Sequence, residues 1–295
     1  MVRLIGAPTG VGTGTPGCEY APGVIEQSLP DFDFTMLKHE DSARSEADCT
    51  KNFHDVLAWA ALITKEFDKA FAEGHTPGLI GGDHSLAIGS INSVSKFTNK
   101  NFHVLWFDAH ADVNSPRTSP TGNMHGMPVH YLMKMGCMRP DQITYFGLRS
   151  VDPGEVQFID EHNIKFFTTH QCKENFKELI AEAVKDIPAD THIHVSFDID
   201  FFSPDVAPGV GTPEIDGPSD TTLTWLDAIP RVNSFDVVEL NPERDVNDVT
   251  TELTIEVVKK LSRDHDVSYV RGVQTARVVR KRTNRKKSKL TGNAE

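Results

Sequence analysis

Four short segments of the 295-residue chain concentrate side chains able to hold a cation or move a proton. They are Gly81-Gly82-Asp83-His84-Ser85, Asp108-Ala109-His110-Ala111-Asp112-Val113-Asn114, Asp198-Ile199-Asp200 and Val237-Val238-Glu239-Leu240-Asn241-Pro242. Asp108, His110 and Asp112 are spaced by two, so all three can face one way as a strand unwinds. The runs before the acids, Val104-Leu105-Trp106-Phe107 and 193–197, are apolar and suit central strands. Ionisable groups at the ends of buried strands need partners, because an unpaired buried charge is very costly. Any single Asp could serve as a helix cap. His84, Asp108, His110, Asp112, Asp198 and Asp200 together exceed that need. Two imidazoles and four carboxylates are too many ligands for one open tetrahedral zinc. They suit two five- or six-coordinate divalent ions with shared carboxylates, and an oxygen-rich set without thiolate favours manganese over zinc. Two ions about 3.5–4 Å apart can convert a water between them to hydroxide near neutral pH.

Strands are expected at 3–7, 32–37, 77–81, 102–108, 142–146, 165–168, 192–198, 235–240 and, weakly, 267–270. Helical stretches between them include 53–73, 86–97, 127–135, 176–186, 223–231 and 251–262. In the first, Phe53, Val56, Leu57, Ala60, Ile63 and Phe67 recur at three- and four-residue spacing and mark one face. Strand–helix alternation predicts an α/β fold of βαβ units, a parallel sheet with helices on both faces. In such sheets ligands bind at the carboxyl ends of the strands, at a switch point. The four polar segments fall at such ends. No linker divides the chain, so one domain is expected over residues 1–279, followed by a basic tail at 280–295.

Hydrophobic residues at 38% and charged residues at 24% fit an ordinary globular protein, and no apolar run reaches the ~20 residues that span a bilayer. The start, MVRLIGAPTG, lacks the pattern of a signal peptide. Cys18, Cys49, Cys137 and Cys172 have no CxxC spacing, which argues against a disulfide scaffold and for a reducing, cytoplasmic setting. Residues 271–295 carry nine basic residues and one acid, leaving 21 basic and 41 acidic residues before them. An acidic body disfavours nucleic acid and favours cationic ligands. The run 280–289 reads as a solvated, mobile tail, with a subunit contact against the acidic body or an anionic partner site as the alternatives.

In their order and spacing, GGDHS, DAHADVN, SFDID and ELNP resemble the ureohydrolase (arginase–agmatinase) family, over roughly residues 2–265. The resemblance implies a three-layer α/β/α fold on a mostly parallel eight-stranded sheet. It implies hydrolysis of a guanidinium or related amidino group with two Mn²⁺ per subunit. His84, Asp108, Asp112 and Asp198 would hold one ion. Asp108, His110, Asp198 and Asp200 would hold the other. Asp112 would also take a hydrogen bond from the bridging hydroxide. Glu239 matches the carboxylate that pairs with the guanidinium, Thr212 the hydroxyl beside it, and His125 the proton-handling histidine at the cleft mouth.

Asn114 with Thr121-Gly122-Asn123 resembles the arginase loop that holds an amino acid's α-carboxylate. The stretch from Gly147 to Glu155 resembles the loop whose Asp152 meets the α-amino group. The expected reaction is therefore L-arginine plus water to L-ornithine plus urea, with hydrolysis of agmatine or another guanidino compound as the rival. An inactive arginine-binding protein is the remote alternative. The resemblance also implies a homo-oligomer, trimer or hexamer. Thr121 stands where arginases usually carry Ser, and Phe201-Phe202-Ser203-Pro204 replaces a smaller sequence after the second aspartate pair. His192 and His194 lie below the strand's end and read as structural. Thr9–Gly14 resembles a phosphate loop only loosely, without the Lys-Ser/Thr of a Walker loop, and reads as a loop beside the cleft.

Overall fold

The structure, a computed structural model, describes residues 1–40 and 52–263. The expected strand at 267–270, the domain limit at 279, the basic tail, Cys49 and His265 lie outside the described residues. Eight strands form one sheet: β1 (Val2–Gly6), β2 (Asp33–Met36), β3 (Thr76–Ile80), β4 (Phe102–Phe107), β5 (Ile143–Leu148), β6 (Lys165–Thr168), β7 (His192–Asp198) and β8 (Ser234–Val238). Their order is β2-β1-β3-β8-β7-β4-β5-β6, and every pairing is parallel. The chain passes from β3 to β4 across a gap that β8 and β7 later fill. The four strands whose ends carry the polar segments are thus neighbours at the centre of the sheet.

Seven α-helices cover the two faces among the described residues: α1 (Ala21–Ser28), α2 (Phe53–Glu73), α3 (Ala87–Thr98), α4 (Pro128–Lys134), α5 (Pro153–His162), α6 (Thr169–Val184) and α7 (Val249–Leu261). One core unites Val56, Ile63 and Phe67 of α2 with Ile88 and Ile91 of α3, Leu132 of α4, and Val104 and Trp106 of β4. The other unites Ile25 of α1, Ile180 of α6 and Val257 of α7 with Leu105 and Phe107 of β4 and Ile193, Val195 and Phe197 of β7. Alternate residues of each strand feed opposite cores, which makes three layers. Among the described residues no helix is long and apolar enough to cross a membrane.

The departures from the periodicity have local causes. The helix expected at 223–231 shrinks to one tight turn at Thr224–Ala228, because Pro230 biases Ile229 to extended backbone and Leu223 is left-handed. α6 begins seven residues earlier than its apolar pattern, on a capping box between Thr168 and Gln171, and breaks its helical backbone at Asn175. β8 stops at Val238, two residues short of the expected end, because Glu239 turns left-handed at φ 65°. Phe201 and Phe202 are fully buried with Phe107, Phe176, Phe197 and Trp225, so the bulk after the second aspartate pair fills core.

Phe107 is the keystone of that cluster, stacked on Phe146 at 4.8 Å and on Phe197 at 5.2 Å. Phe107→Ala should cost about 3–5 kcal/mol of unfolding free energy in a denaturant titration, the range for a truncated core aromatic.

Candidate metal centre

The loop after β3 delivers His84, the end of β4 delivers Asp108, and β7 ends in Asp198. Strand parity does not account for the rest of the first motif. β4 ends at Phe107, and Asp112 sits in a left-handed conformation at φ 51°, held by its carbonyl accepting from Val129 N at the start of α4. An irregular loop, rather than a fraying strand, turns His110 and Asp112 inward. A non-glycine residue at positive φ is uncommon and marks backbone strain that its surroundings must hold.

His84 Nδ1 lies 3.1 Å from Asp108 Oδ2, 3.1 Å from Asp112 Oδ2 and 3.2 Å from Asp198 Oδ2. His110 Nδ1 lies 3.4 Å from Asp108 Oδ1 and 3.1 Å from Asp200 Oδ2. Two sets of donor atoms therefore converge, His84–Asp108–Asp112 and Asp108–His110–Asp200, with Asp108 in both. His84 Nδ1 is buried and makes no well-formed hydrogen bond although three carboxylate oxygens surround it. Spacings near 3.1 Å are the edges of a coordination shell whose bonds measure about 2.2 Å. The donors fit divalent cations of the oxygen-and-imidazole type.

Backbone amides and the Trp106 indole hold these carboxylates in place. Asp108 Oδ1 accepts from His110 N at 2.6 Å and its Oδ2 from Trp106 Nε1 at 2.9 Å. Asp198 Oδ1 accepts from Asp200 N at 2.7 Å, and Asp200 Oδ1 from Ala109 N at 3.2 Å. Asp198 is thus both a turn cap and a member of the cluster. Burial pushes Asp198 well above the carboxylate range, with Asp200 and Asp108 adding repulsion. Burial and Asp108 push Asp112 up to about 6. Burial alone would lower both imidazoles, but the surrounding carboxylates more than offset it and hold His84 and His110 high. Protons and cations compete for such a set.

Glu239, also left-handed, accepts from His84 N at 2.9 Å through Oε1, the same oxygen that lies 3.2 Å from His125 Nδ1. Its Oε2 is buried and unpaired beside Gly211. Direct contact between Glu239 and His125 is not foreseeable from the motifs, which lie 114 residues apart. Burial lowers His125, but Glu239 outweighs it and raises the imidazole to about 9. Thr212 Oγ1 donates to Asp200 Oδ2 at 3.2 Å. The loop at Thr9–Gly14 packs against the site: Gly12 N donates to Asp83 Oδ2 at 2.8 Å, and Gly12 O accepts from His125 N at 3.0 Å. A Cβ on Gly12 would come 2.3 Å from Asp83, so only glycine allows this approach.

At the far end, Asn114 Nδ2 donates to Asp152 Oδ2 at 2.8 Å, and Asn114 Oδ1 is buried and unpaired. Thr121 is exposed, and its Oγ1 accepts from Asn123 N at 3.2 Å. Glu155, which the resemblance implies is a substrate contact, is engaged by the loops themselves. It is buried, its Oε1 accepts from Val113 N at 3.0 Å and its Oε2 from Asp152 N at 3.0 Å. Both oxygens brace one loop against the other, so Glu155 positions Asn114 and Asp152 instead of facing a ligand. Burial raises it to about 7.

Arg149 is the residue that motif reading missed. Its guanidinium donates to the carbonyls of Gly147, Asp200, Phe201, Phe202, Glu214 and Ile215, at 2.6–3.2 Å. It clamps the turn that carries Asp200 to the loop that carries Thr212. An arginine directly after an apolar strand was the available signal.

Two cation-ready clusters sharing an aspartate, at the carboxyl ends of a parallel α/β sheet, define a hydrolase of the dinuclear-metal class. Residues 1–262 match the Arginase family, and the chain belongs to it; it is a hydrolytic ureohydrolase. It is 32% identical to an arginase of Staphylococcus aureus (strain MRSA252), over 87% of this chain and 95% of that one. The crystal structure of arginase from Bacillus subtilis matches with a TM-score of 0.76 at 30% identity, over 90% of this chain and 99% of that one. Entamoeba histolytica arginase in complex with L-ornithine matches with a TM-score of 0.80 at 28% identity, over 89% and 97%.

Asp108→Asn should lower metal content at both clusters, and His84→Asn mainly at one, by elemental analysis of dialysed protein. Acid adds protons to the ligands, so bound metal should leave as the pH falls, read as metal content after dialysis at decreasing pH.

Proposed function

We propose that the protein is a manganese-dependent arginase, converting L-arginine and water to L-ornithine and urea. The observation that carries the reading is the cross-braced pair of Asn114 and Asp152 set apart from the metal cluster, which gives an amino acid's far end a built contact. His84, Asp108, Asp112 and Asp198 would hold one ion, and Asp108, His110, Asp198 and Asp200 the other. Two Mn²⁺ ions held there supply hydroxide from water near neutral pH and polarise the reacting group.

The buried, unpaired Oε2 of Glu239 awaits a cationic donor. A guanidinium in that place would gain charge-assisted hydrogen bonds and relieve the orphaned oxygen. Thr212 follows Gly211, which lies against that oxygen, on the Arg149-clamped loop. The attacking water passes its proton to Asp112. Attack at the guanidinium carbon gives a tetrahedral intermediate, and its departing amine takes that proton. His125 exchanges protons with solvent at the cleft mouth. Asp152 pairs with the α-ammonium. Asn114, Thr121 and Asn123 present neutral donors to the α-carboxylate, partly through water. The reading includes the family's trimeric or hexameric assembly and a cytoplasmic setting, which sedimentation and cell fractionation test.

Below about pH 9 His125 is cationic and bound to Glu239. It then opposes a second cation at the same carboxylate. Catalytic efficiency should rise as the pH climbs towards 9 and His125 loses its proton. His125→Asn should flatten that limb and lower turnover by about 10²-fold or less, with metal content unchanged. Loss of metal in that variant would make His125 a ligand instead.

Glu239 recognises a group that arginine and agmatine share, so discrimination must arise at Asn114 and Asp152. A urea-release assay with both substrates should favour L-arginine by at least about 10²-fold in kcat/KM, or about 2.7 kcal/mol. Asp152→Ala should raise KM for arginine and spare metal content. Agmatine turned over equally well by the wild type would overturn the arginase reading and leave the metal centre standing.

A further inference from the structure

His84 has a second ring nitrogen, and it faces away from the carboxylates. Nε2 lies 2.9 Å from Ser196 Oγ. Ser196 in turn lies 3.4 Å from Asp236 Oδ2, which also accepts from Ser90 Oγ at 2.8 Å and meets His194 Nε2 at 3.0 Å. His194 Nδ1 reaches Ser234 Oγ at 2.8 Å. All of these side chains are buried, with 0–1% exposure. The parallel register sets Ser196 of β7 beside Asp236 of β8, and His194 beside Ser234, so one polar strip runs between two central strands down from the metal cluster.

Resting on the two-ion reading above, we propose that Asp236 is a positioning residue that acts through Ser196 to hold His84 in the tautomer able to bind a metal. An ionised carboxylate only accepts hydrogen bonds. Ser196 must therefore spend its single hydroxyl hydrogen on Asp236, and it has only lone pairs left for His84. The shared hydrogen then sits on His84 Nε2, and Nδ1 is bare. Nδ1 is the atom among the three carboxylate oxygens, where only a cation can meet a lone pair. Without Asp236 the Ser196 hydroxyl is free to rotate and donate to Nε2. That direction places the ring hydrogen on Nδ1, the wrong form for a ligand. Such outer contacts fix the tautomer and orientation of metal-binding histidines. Asp236 is a poor choice for stability alone, since its Oδ1 is buried and unpaired.

The test is stepwise titration of metal-free protein with Mn²⁺ by calorimetry, alongside thermal melting of the same samples. Asp236→Ala should weaken the ion held by His84 by about 10–100-fold, the usual effect of losing an outer-shell partner. Asp236→Asn keeps an oxygen that accepts from Ser196 and should stay within about threefold of wild type on the same scale. Ser196→Ala removes the hydroxyl from both directions and should cost about tenfold. Adding Ser196→Ala to Asp236→Ala should bring the affinity back to that of Ser196→Ala, because the misdirected hydroxyl is gone. Losses that simply add, or an unchanged affinity in folded Asp236→Ala, would overturn the relay. Should Asp236→Ala not fold, Ser196→Ala decides: an unchanged affinity overturns the relay, and a tenfold loss at an unaltered melting temperature supports it. Wild-type protein that takes up fewer than two Mn²⁺ per chain would overturn the two-ion reading and the relay with it, whereas two ions with unaffected variants would overturn the relay alone.

Discussion

Four carboxylates and two imidazoles meet where water is scarce, and the repulsion among the carboxylates is the constraint that organises the molecule. Asp108, Asp112, Asp198 and Asp200 are all at most 6% exposed. Like charges at such distances cannot all ionise without a compensating cation or proton. The sheet order answers this by placing the four contributing strands side by side, with apolar cores on both faces to hold the ends rigid. Backbone amides and the Trp106 indole then hold the carboxylates in place. The cluster is therefore fixed before any cation reaches it, which is the condition for a precise metal geometry.

Rigidity at that centre is bought with local strain. Asp112 and Glu239 both adopt left-handed backbone, and each sits where regular structure stops. Strain of about 1–3 kcal/mol per such residue persists only where the surroundings over-determine it. Here α4 holds Asp112 through Val129, and Gly82 O accepts from Glu239 N at 2.7 Å. Arg149 does the same for the turn after β7, donating to six carbonyls. A lysine there could not spread its donors over so many oxygens.

The strands and the larger helices were legible because their apolar residues repeat with the right period, as in α2. The convergence of ionisable side chains was legible because six such residues following apolar strands admit few structural roles. The helices α1 and α5 carry little periodic signal and follow from capping chemistry: Pro22 in the first turn of one, Asp152 and Glu155 boxing the start of the other. Glu155 itself shows the limit of motif reading. Its position in the chain marks it for the ligand, whereas its oxygens are filled by Val113 and Asp152 amides that only the folded loops bring near. His125 against Glu239 and Arg149 across six carbonyls are long-range facts of the same kind. No local pattern encodes them.

The two ends of the cleft are built to different standards. Around the aspartate cluster, side chains are buried and backbone-locked, so geometry is set by the sheet. Around Asn114, Thr121 and Asp152 the chain runs in loops, and Thr121 is exposed. The loops are nevertheless tied at three points: Asn114 N to Gly126 O, Asn114 Nδ2 to Asp152, and Val113 N to Glu155. Contacts made by loops can change without moving a strand end, so substrate choice can drift while the reaction is kept. The cross-brace through Glu155 works against that drift, because it couples the Asn114–Asp152 pair to the same stretch, 108–114, that holds Asp108, His110 and Asp112. On the proposed reading, a substitution that loosens Asp152 is felt first in substrate preference, and one that removes Glu155 in both preference and metal binding.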